Sequence, residues 1–550
     1  MKKKKNIILI LFTLYTIVAI AQSKIDDLPI EKTYIHFSSN FLLTGENLYY
    51  KIYNLSQKKL SPYSKIAYVE IINDKNKSII KQKVKLNNGT GYGDIFIESK
   101  LKTGTYKLIS YTQWSRNKQI FFENDLYIVN PFIQKQNNGT KTTQKNTYIS
   151  NKNSKYNLKI NKEKFLNREK VTLKIKEYIK GSFSISVNQK QPINIPFKKD
   201  IRDIFNKNSY YKKNSETKFL PELRGELIHG KILQSDNISA EISNIKLGLS
   251  ILGTNPFFRT SITNDLGEFY FNLNNNDSST AFIQILNKQR ENYKIKIKNP
   301  PLFKQFKNFK HLKLDEKLMN IIDKRTEYMQ IENSYHEVKK NLELPLIIKE
   351  SIFNEISLTY TLSDYKQFKT VKEVIVEILD NVWLTKDKNN NYIHVRDSNL
   401  KTDTKLPSLL IVDGNIVFNH QDFMEYNAKK IKSFSLVKNK YVFGSILYQG
   451  IIYVNTLKKD FKPNSKHVSQ IDILRPVSFK KYFFQTHDIP EKTKRIPDYR
   501  TQLYWNPNID LSEKEITFYT SDVSGEFEIE IEGFTKKGEP ISLRKTFFVD

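Results

Sequence analysis

Four patterns in this chain have residue types and spacing that suggest chemistry, and each fails at a decisive position. Gly225 to Lys231 has the G-x-x-x-x-G-K spacing of a phosphate-binding loop. Such a loop needs Ser or Thr next, to ligate magnesium, and then a helix whose N-terminus faces the phosphates; Ile232 follows instead, in a β-like run with Pro256 ahead. His336-Glu337 opens like a zinc-protease helix, but the second ligand must fall one turn later, where Lys340 stands. His36, His229, His311, His394, His420, His467 and His487 have no partner at metal-ligand spacing and are expected to be structural or surface histidines. A serine nucleophile would occupy G-x-S-x-G; Ser250 lacks the second glycine, and Ser445 follows Gly444 without the elbow pattern. Carboxylate pairs such as Asp26-Asp27 and Glu528/Glu530 lie in exposed-looking segments, and any acidic surface supplies such pairs. No residue qualifies as catalytic, cofactor-binding or metal-binding. The chain is expected to be no enzyme and to need no cofactor, and its binding residues stay open.

The elements around these positions begin with a leader. Lys2 to Lys5 precede an apolar run of 14 residues, Ile7 to Ile20, and Ala19-Ile20-Ala21 supplies the small residues that a signal peptidase requires. A membrane-spanning helix needs roughly 17–25 residues, so cleavage after Ala21 is expected rather than anchoring. No cysteine follows to carry a lipid, and the chain has no cysteine at all, so stability must come from burial. With 89 basic and 58 acidic residues the chain carries +31, and without the leader it stays strongly basic. Export argues against nucleic acid as the partner. Either the lysines serve solubility and attraction to anionic surfaces such as lipopolysaccharide or acidic partners, or they reflect the bias of an AT-rich genome, the preferred of the two.

Along the mature chain the pattern is mainly β and multidomain. Tyr34–Phe37, Leu48–Tyr53, Ile66–Ile72, Ile79–Leu86, Gly93–Ile97, Gly104–Tyr111 and Phe121–Val129 are rich in β-branched and aromatic residues, with turns such as Asn88-Gly89 between them, as in a sandwich. Tyr49 and Tyr53 share one strand face, Tyr50 and Ile52 the other, and both faces are expected in core. Boundaries follow from shifts in composition: a leader at 1–21, a first sandwich at 22–132, a polar linker at 133–155, and a second small sandwich with an exposed basic segment at 156–222. A third β unit at 223–300, a helical connector at 301–365, an α/β unit at 366–457 and a C-terminal sandwich at 458–550 complete the order. One or two helices are expected between Leu312 and Leu344, a helix at Val371 to Leu379, and strands at Leu409 to Val412, Ile431 to Val437 and Gly450 to Thr456.

Three stretches resemble exported Bacteroidota proteins. Glu31-Lys32-Thr33-Tyr34-Ile35-His36, Leu43-Thr44-Gly45-Glu46 and Gly104-Thr105-Tyr106 with Tyr111-Thr112-Gln113-Trp114 resemble a macroglobulin-type domain. Asp265-Leu266-Gly267-Glu268-Phe269 is similar to the turn of a carboxypeptidase regulatory-like domain, and Ile411-Val412-Asp413-Gly414 with Gly450 to Thr456 resembles the plug of TonB-dependent receptors. Tyr499 to Pro507 also resembles these proteins. The departures are informative. A thioester trap needs a cysteine, and a 22-strand barrel takes roughly 220 residues, far more than follow Thr456. The resemblance therefore implies interaction domains, and the expected role is an accessory or scaffold that binds an envelope protein at the outer membrane. The alternatives are a surface adhesin or glycan-binding module and, further off, an envelope hydrolase. N-terminal analysis of the exported protein is expected to begin at Gln22; an earlier start contradicts the leader.

Overall fold

The computed structural model describes residues 28–133, 156–175, 177–190, 198, 201–202 and, from 219 onward, all but 236–238, 253–255, 274–278, 287–289, 299–304, 310–314, 346–355, 357, 388–389, 398–404, 445, 463–467, 490–494 and 512–514. The fold is mainly β and multidomain. The expected leader, Asp26, Asp27, the 134–155 stretch, His311, His467 and Ser445 lie outside the described residues.

The first sandwich follows the strand spacing closely. One sheet sets Glu31–Phe37 and Thr90–Phe96 on either side of Asn47–Ser56, which also pairs with Lys59–Leu60. The other runs Phe41–Leu43, Phe122–Val129, Gly104–Tyr111, Ile66–Ile72 and Ser78–Lys85. Alternation sends Leu48, Tyr50 and Ile52 inward, where they meet Val69, Ile71 and Leu108. Asn88 and Gly89 both take positive φ (48° and 78°), the turn that carries the chain between sheets. A Cβ on Gly89 would lie 2.7 Å from the Ser61 carbonyl, so only glycine fits.

The expected second and C-terminal sandwiches are one. Ile179–Gln189 pairs antiparallel with Gly525–Thr535 on one edge and Gln502–Leu511 on the other. Pro540–Val549 extends that sheet, and Ile516–Tyr519 pairs with Lys170–Ile175 in the facing sheet. Phe183, Ile185 and Val187 share a core with Leu503 and with Phe527, Ile529, Ile531 and Phe547. The strands within 158–189 cannot close a core by themselves, because both edges of Ile179–Gln189 are completed from the C-terminal end.

The third unit also takes a late strand. Val468–Asp472, expected in the C-terminal sandwich, completes the sheet of Phe257–Ile262, Lys246–Ile251 and Thr280–Ile285. Gly225 opens the strand Glu226–Gln234 rather than a helix, and a Cβ on Gly230 would collide with the Phe269 ring at 2.2 Å. Among its described residues the connector holds one long helix, Glu316–Ser334, whose N-cap Asp315 accepts from the Leu318 amide at 2.9 Å. Leu318, Ile322, Arg325 and Met329 form its buried stripe; Leu318 and Ile322 pack on Phe41, Leu43 and Tyr127.

In the α/β unit a sheet orders Leu358–Thr361, Ile431–Phe443, Ile446–Thr456, Leu409–Val412 and Asn415–Ile416. Leu358–Thr361, assigned above to the connector, is its edge strand. The helix Val371–Glu377 starts with a Thr370/Glu373 capping box. Asp413 (φ 50°) and Gly414 (φ 84°) form the tight turn. The Asp413 carboxylate bonds across rather than locally, accepting from Thr456 N at 2.7 Å, Thr456 Oγ1 at 2.5 Å and Phe461 N at 3.1 Å. Among the described residues no helix is long and apolar enough to cross a membrane.

Residues 156–222 expressed alone are expected to give no cooperative unfolding transition, and co-expression with 458–550 to restore one in circular dichroism. An independent transition would disprove the interleaved sandwich.

Candidate functional site

The polar side chains with chemical potential gather where units meet. Period-two alternation gives Ile179–Gln189 an apolar face for its own core and an outer face of Ser182, Ser184 and Ser186. Gly525–Thr535 likewise turns Glu530 and Glu532 outward, opposite Ser186 and Ser184. This polar face lies against the outer face of the first sandwich, where Tyr34 pairs with Tyr53 and His36 with Lys51 across neighbouring strands. Glu530 and Glu532 are buried, at 4% and 2% exposure, so the exposed-looking acidic alternation is in fact an interdomain seam. Tyr50 and Tyr53 are buried as expected, but Tyr53 faces the neighbouring sandwich rather than its own core.

The seam is tightly matched. Glu530 accepts from Arg544 Nη2 at 2.6 Å and from Lys198, with His36 Nε2 at 3.4 Å. Lys198 therefore sits in the seam, not on an exposed basic segment. Burial opposes ionisation of Glu530, yet Lys198 and Arg544 outweigh it and hold the carboxyl well below the usual range. Glu532, bonded by the Tyr34 hydroxyl, is pushed up to about 8 by burial and by the Glu530 charge. Lys51 Nζ donates to Ser182 Oγ at 2.8 Å, the Phe183 carbonyl at 3.1 Å and Asn508 Oδ1 at 3.2 Å, and burial pulls it down to about 7. His36 shares a 2.7 Å hydrogen bond with Ser184 through Nδ1, and burial lowers it to about 4. A second seam ties the third unit to the first sandwich through Glu226, held by Lys83 at 2.5 Å and Arg475 at 2.7 Å. Beside it, burial raises Glu222 to about 7.

Next to the main seam a cleft of about 370 Å³ opens between the two sandwiches and the Glu316–Ser334 helix. Arg325 clamps Glu46 with two bonds, at 2.6 and 2.8 Å. Glu332 takes Lys339 at 2.8 and 2.9 Å and the Tyr499 amide at 2.7 Å. Tyr328 stacks on Tyr499 at 5.0 Å. A Cβ on Gly45 (φ 97°) would meet Met329 at 2.5 Å, so this glycine lets the helix approach. Behind the cleft Asp498 receives Arg500 and His487, the latter at 2.8 Å; despite burial, Arg500 holds its carboxyl low. Chemically, these groups are clamps. The cleft serines bond to backbone, Ser39 Oγ to the Phe41 carbonyl at 2.7 Å and Ser38 Oγ to the Tyr49 amide at 3.1 Å.

The remaining motif residues are dispersed. His336 is exposed beyond the helix end, 3.1 Å from Glu337. Ser250 is buried and accepts from the Ile416 amide at 3.3 Å, joining the third unit to the α/β unit. His394 and His420, isolated in sequence, come together in the α/β unit, where His394 bonds Thr385 at 2.7 Å and His420 accepts from the Ile393 amide at 2.8 Å. Among the described residues no group of three His, Asp or Glu side chains is arranged to hold a metal. Sequence reading missed the seam; its one available signal was Ser-x-Ser-x-Ser at 182–186 set beside Glu-x-Glu at 530–532, two strands polar on one face only.

Replacing Glu530 by Gln removes the counter-charge that Arg544 and Lys198 bond directly and is expected to cost about 3–5 kcal/mol. Glu532→Gln imitates a protonated carboxyl and is expected to cost less than about 1 kcal/mol near neutral pH. Because folding raises the Glu532 pKa above its ordinary 4.5, its contribution is complete below that value and fades as pH rises through about 8. Thermal unfolding across that window reads both effects, and the Glu532→Gln variant should lose this part of the decline.

No protein-family model matches the chain, and no curated protein matches it. Among solved structures, 95% of the chain aligns with Salmonella alpha-2-macroglobulin reacted with methylamine, at 8% identity and TM-score 0.23, covering 40% of that chain. Escherichia coli alpha-2-macroglobulin activated by porcine elastase aligns over 94%, at 8% identity and TM-score 0.23, covering 44% of that chain. A tetra-tandem repeat from the extending region of a large adhesion protein aligns over 95%, at 7% identity and TM-score 0.15, covering all of that chain. The chain spans less than half the length of these two macroglobulins. Likeness at this level bears on no activity of the chain.

Proposed function

We propose that this chain is a non-enzymatic accessory or scaffold protein of the bacterial envelope, exported through its leader, that binds a partner protein at the outer membrane in transport, secretion or assembly. The observation that carries this reading is where the buried charges go. Glu226 and Glu46 are tied to cations across a boundary, Lys83 of the first sandwich and Arg325 of the helix. Glu530, clamped by Lys198 and Arg544, meets His36 of the first sandwich, and Glu332, clamped by Lys339, accepts from the Tyr499 amide. Groups so tied brace a frame; a catalytic acid or base has to be left open to a substrate. On that frame the plug-like α/β unit keeps its own core and turns Val376, Val442, Leu447 and Leu457 to solvent. Val442 and Leu447 are directly opposed near the end of its long hairpin. The rival adhesin or glycan-binding reading needs a platform of exposed rings. In the cleft Tyr49 stacks on Trp505 and Tyr328 on Tyr499, with Phe483 exposed there; the other exposed rings, Phe96, Phe132, Tyr178, Tyr365 and Phe548, lie outside the cleft.

Co-purification from solubilised membranes tests the proposal. The mature chain is expected to recover an envelope protein, and deletion of 366–457 to abolish that recovery while the first sandwich stays folded, since domains keep their own cores. Recovery of no envelope protein by the intact chain overturns the reading. So does specific peptidase, esterase or glycosidase turnover that a single cleft substitution removes.

A further inference from the structure

A second, smaller hollow of about 240 Å³ lies in the α/β unit, at the corner where the edge strand Leu358–Thr361 ends and the helix Val371–Glu377 crosses. Its floor is apolar, made by Leu362, Phe368, Val374, Ile378 and Ile431, with the exposed Leu457 at its edge. Its rim carries Lys366, Lys429 and Lys432, all exposed, and none of them forms an ion pair with a described residue. The nearby acid Glu373 is committed to the helix cap, accepting from the Lys369 and Thr370 amides at 3.0 and 2.9 Å. A hydrophobic hollow ringed by cations that no described acid pairs with is complementary to an apolar group flanked by anions. The volume falls below the roughly 300–1,000 Å³ that encloses a drug-sized ligand, and suits a single anchoring side chain.

We propose that this corner binds an acidic, extended peptide segment of a partner protein, with one bulky apolar side chain in the hollow and flanking Asp or Glu residues on the three lysines. The backbone favours a peptide over an anionic lipid. Leu358–Thr361 pairs with Ile431–Phe443 on one side only, and its other edge meets no described strand. A peptide leaving the hollow can therefore add as a further strand. The site deepens the partner-binding proposal above and rests on it.

The test uses the full mature chain and a labelled peptide in which four acidic residues flank one phenylalanine. Binding is expected to weaken at least tenfold in the triple variant Lys366→Glu, Lys429→Glu, Lys432→Glu, in Ser363→Trp, which crowds the hollow, and with a peptide carrying alanine for phenylalanine. It should also weaken with added salt, because the lysines are solvated. The three lysines are exposed, so the unfolding temperature of the triple variant should not move. Binding that is indifferent to the triple variant or to the alanine peptide overturns the site, as does a preference for anionic phospholipid vesicles over the peptide. Co-purification separates the two levels. A triple variant that still recovers the envelope partner, while deletion of 366–457 loses it, refutes this site and leaves the scaffold reading standing. An intact chain that recovers no partner refutes the scaffold reading itself.

Discussion

The strand Ile179–Gln189 is the constraint on which the rest of the architecture depends. Both of its edges are completed by strands from the C-terminal end, Gly525–Thr535 and Gln502–Leu511. The third unit, the long helix and the α/β unit therefore hang as one closed excursion between two halves of a single sandwich. Closing so long a loop is not prohibitive, because its entropic cost rises by only about 0.6 kcal/mol per doubling of length. The apolar core that Phe183, Ile185 and Val187 share with Phe527, Ile529 and Ile531 outweighs it, since a fully buried side chain of this kind contributes about 1.5–3 kcal/mol.

The same strand also faces the first sandwich, with chemistry of the opposite kind. Its serines, with Glu530 and Glu532 beside them, meet His36, Lys51, Tyr34 and Tyr53. A seam of this kind adds little net stability, because the cost of desolvating charges offsets most of their attraction. Its demand on geometry is strict. Sliding one sandwich past the other by a residue would take Lys51 off Ser182, the Phe183 carbonyl and Asn508, and a buried amine left without partners costs several kcal/mol. The Glu316–Ser334 helix reinforces the arrangement from one side, with Arg325 on Glu46 of the first sandwich and Glu332 on the Tyr499 amide of the second. Rigidity of this kind suits a protein that holds surfaces in place for others to bind.

The functional readings rest on what that frame leaves uncommitted. Inside the seams and cleft Lys198, Arg544, Lys83, Arg475, Arg325, Lys339 and Arg500 are matched with acids, whereas Lys366, Lys429 and Lys432 surround an apolar hollow with no described acid against them. A high net positive charge is ambiguous as a property of a whole chain. It becomes informative where individual lysines converge on a shape.

What the sequence determined by itself is local. Runs rich in β-branched and aromatic residues between turn residues located the seven main strands of the first sandwich, since such side chains suit the pleated, buried surface of a strand. Turn chemistry marked Asn88-Gly89 and Asp413-Gly414, because positive φ is cheap only for Gly and a few polar residues. The failed motifs were legible too: a phosphate loop without its helix was recognisable at Ile232 from one residue type. Only the tertiary structure decided which strands are neighbours. The acidic alternation at 527–531 reads identically whether its polar face meets water or another sandwich, because burial is a property of what lies opposite and not of the strand. For the same reason Val468–Asp472 could not be assigned to the third unit, nor Ile179–Gln189 to a sheet completed from the C-terminal end: hydrogen-bonding edges carry no residue code, and pairing between distant segments is settled by how whole cores and charged faces fit together.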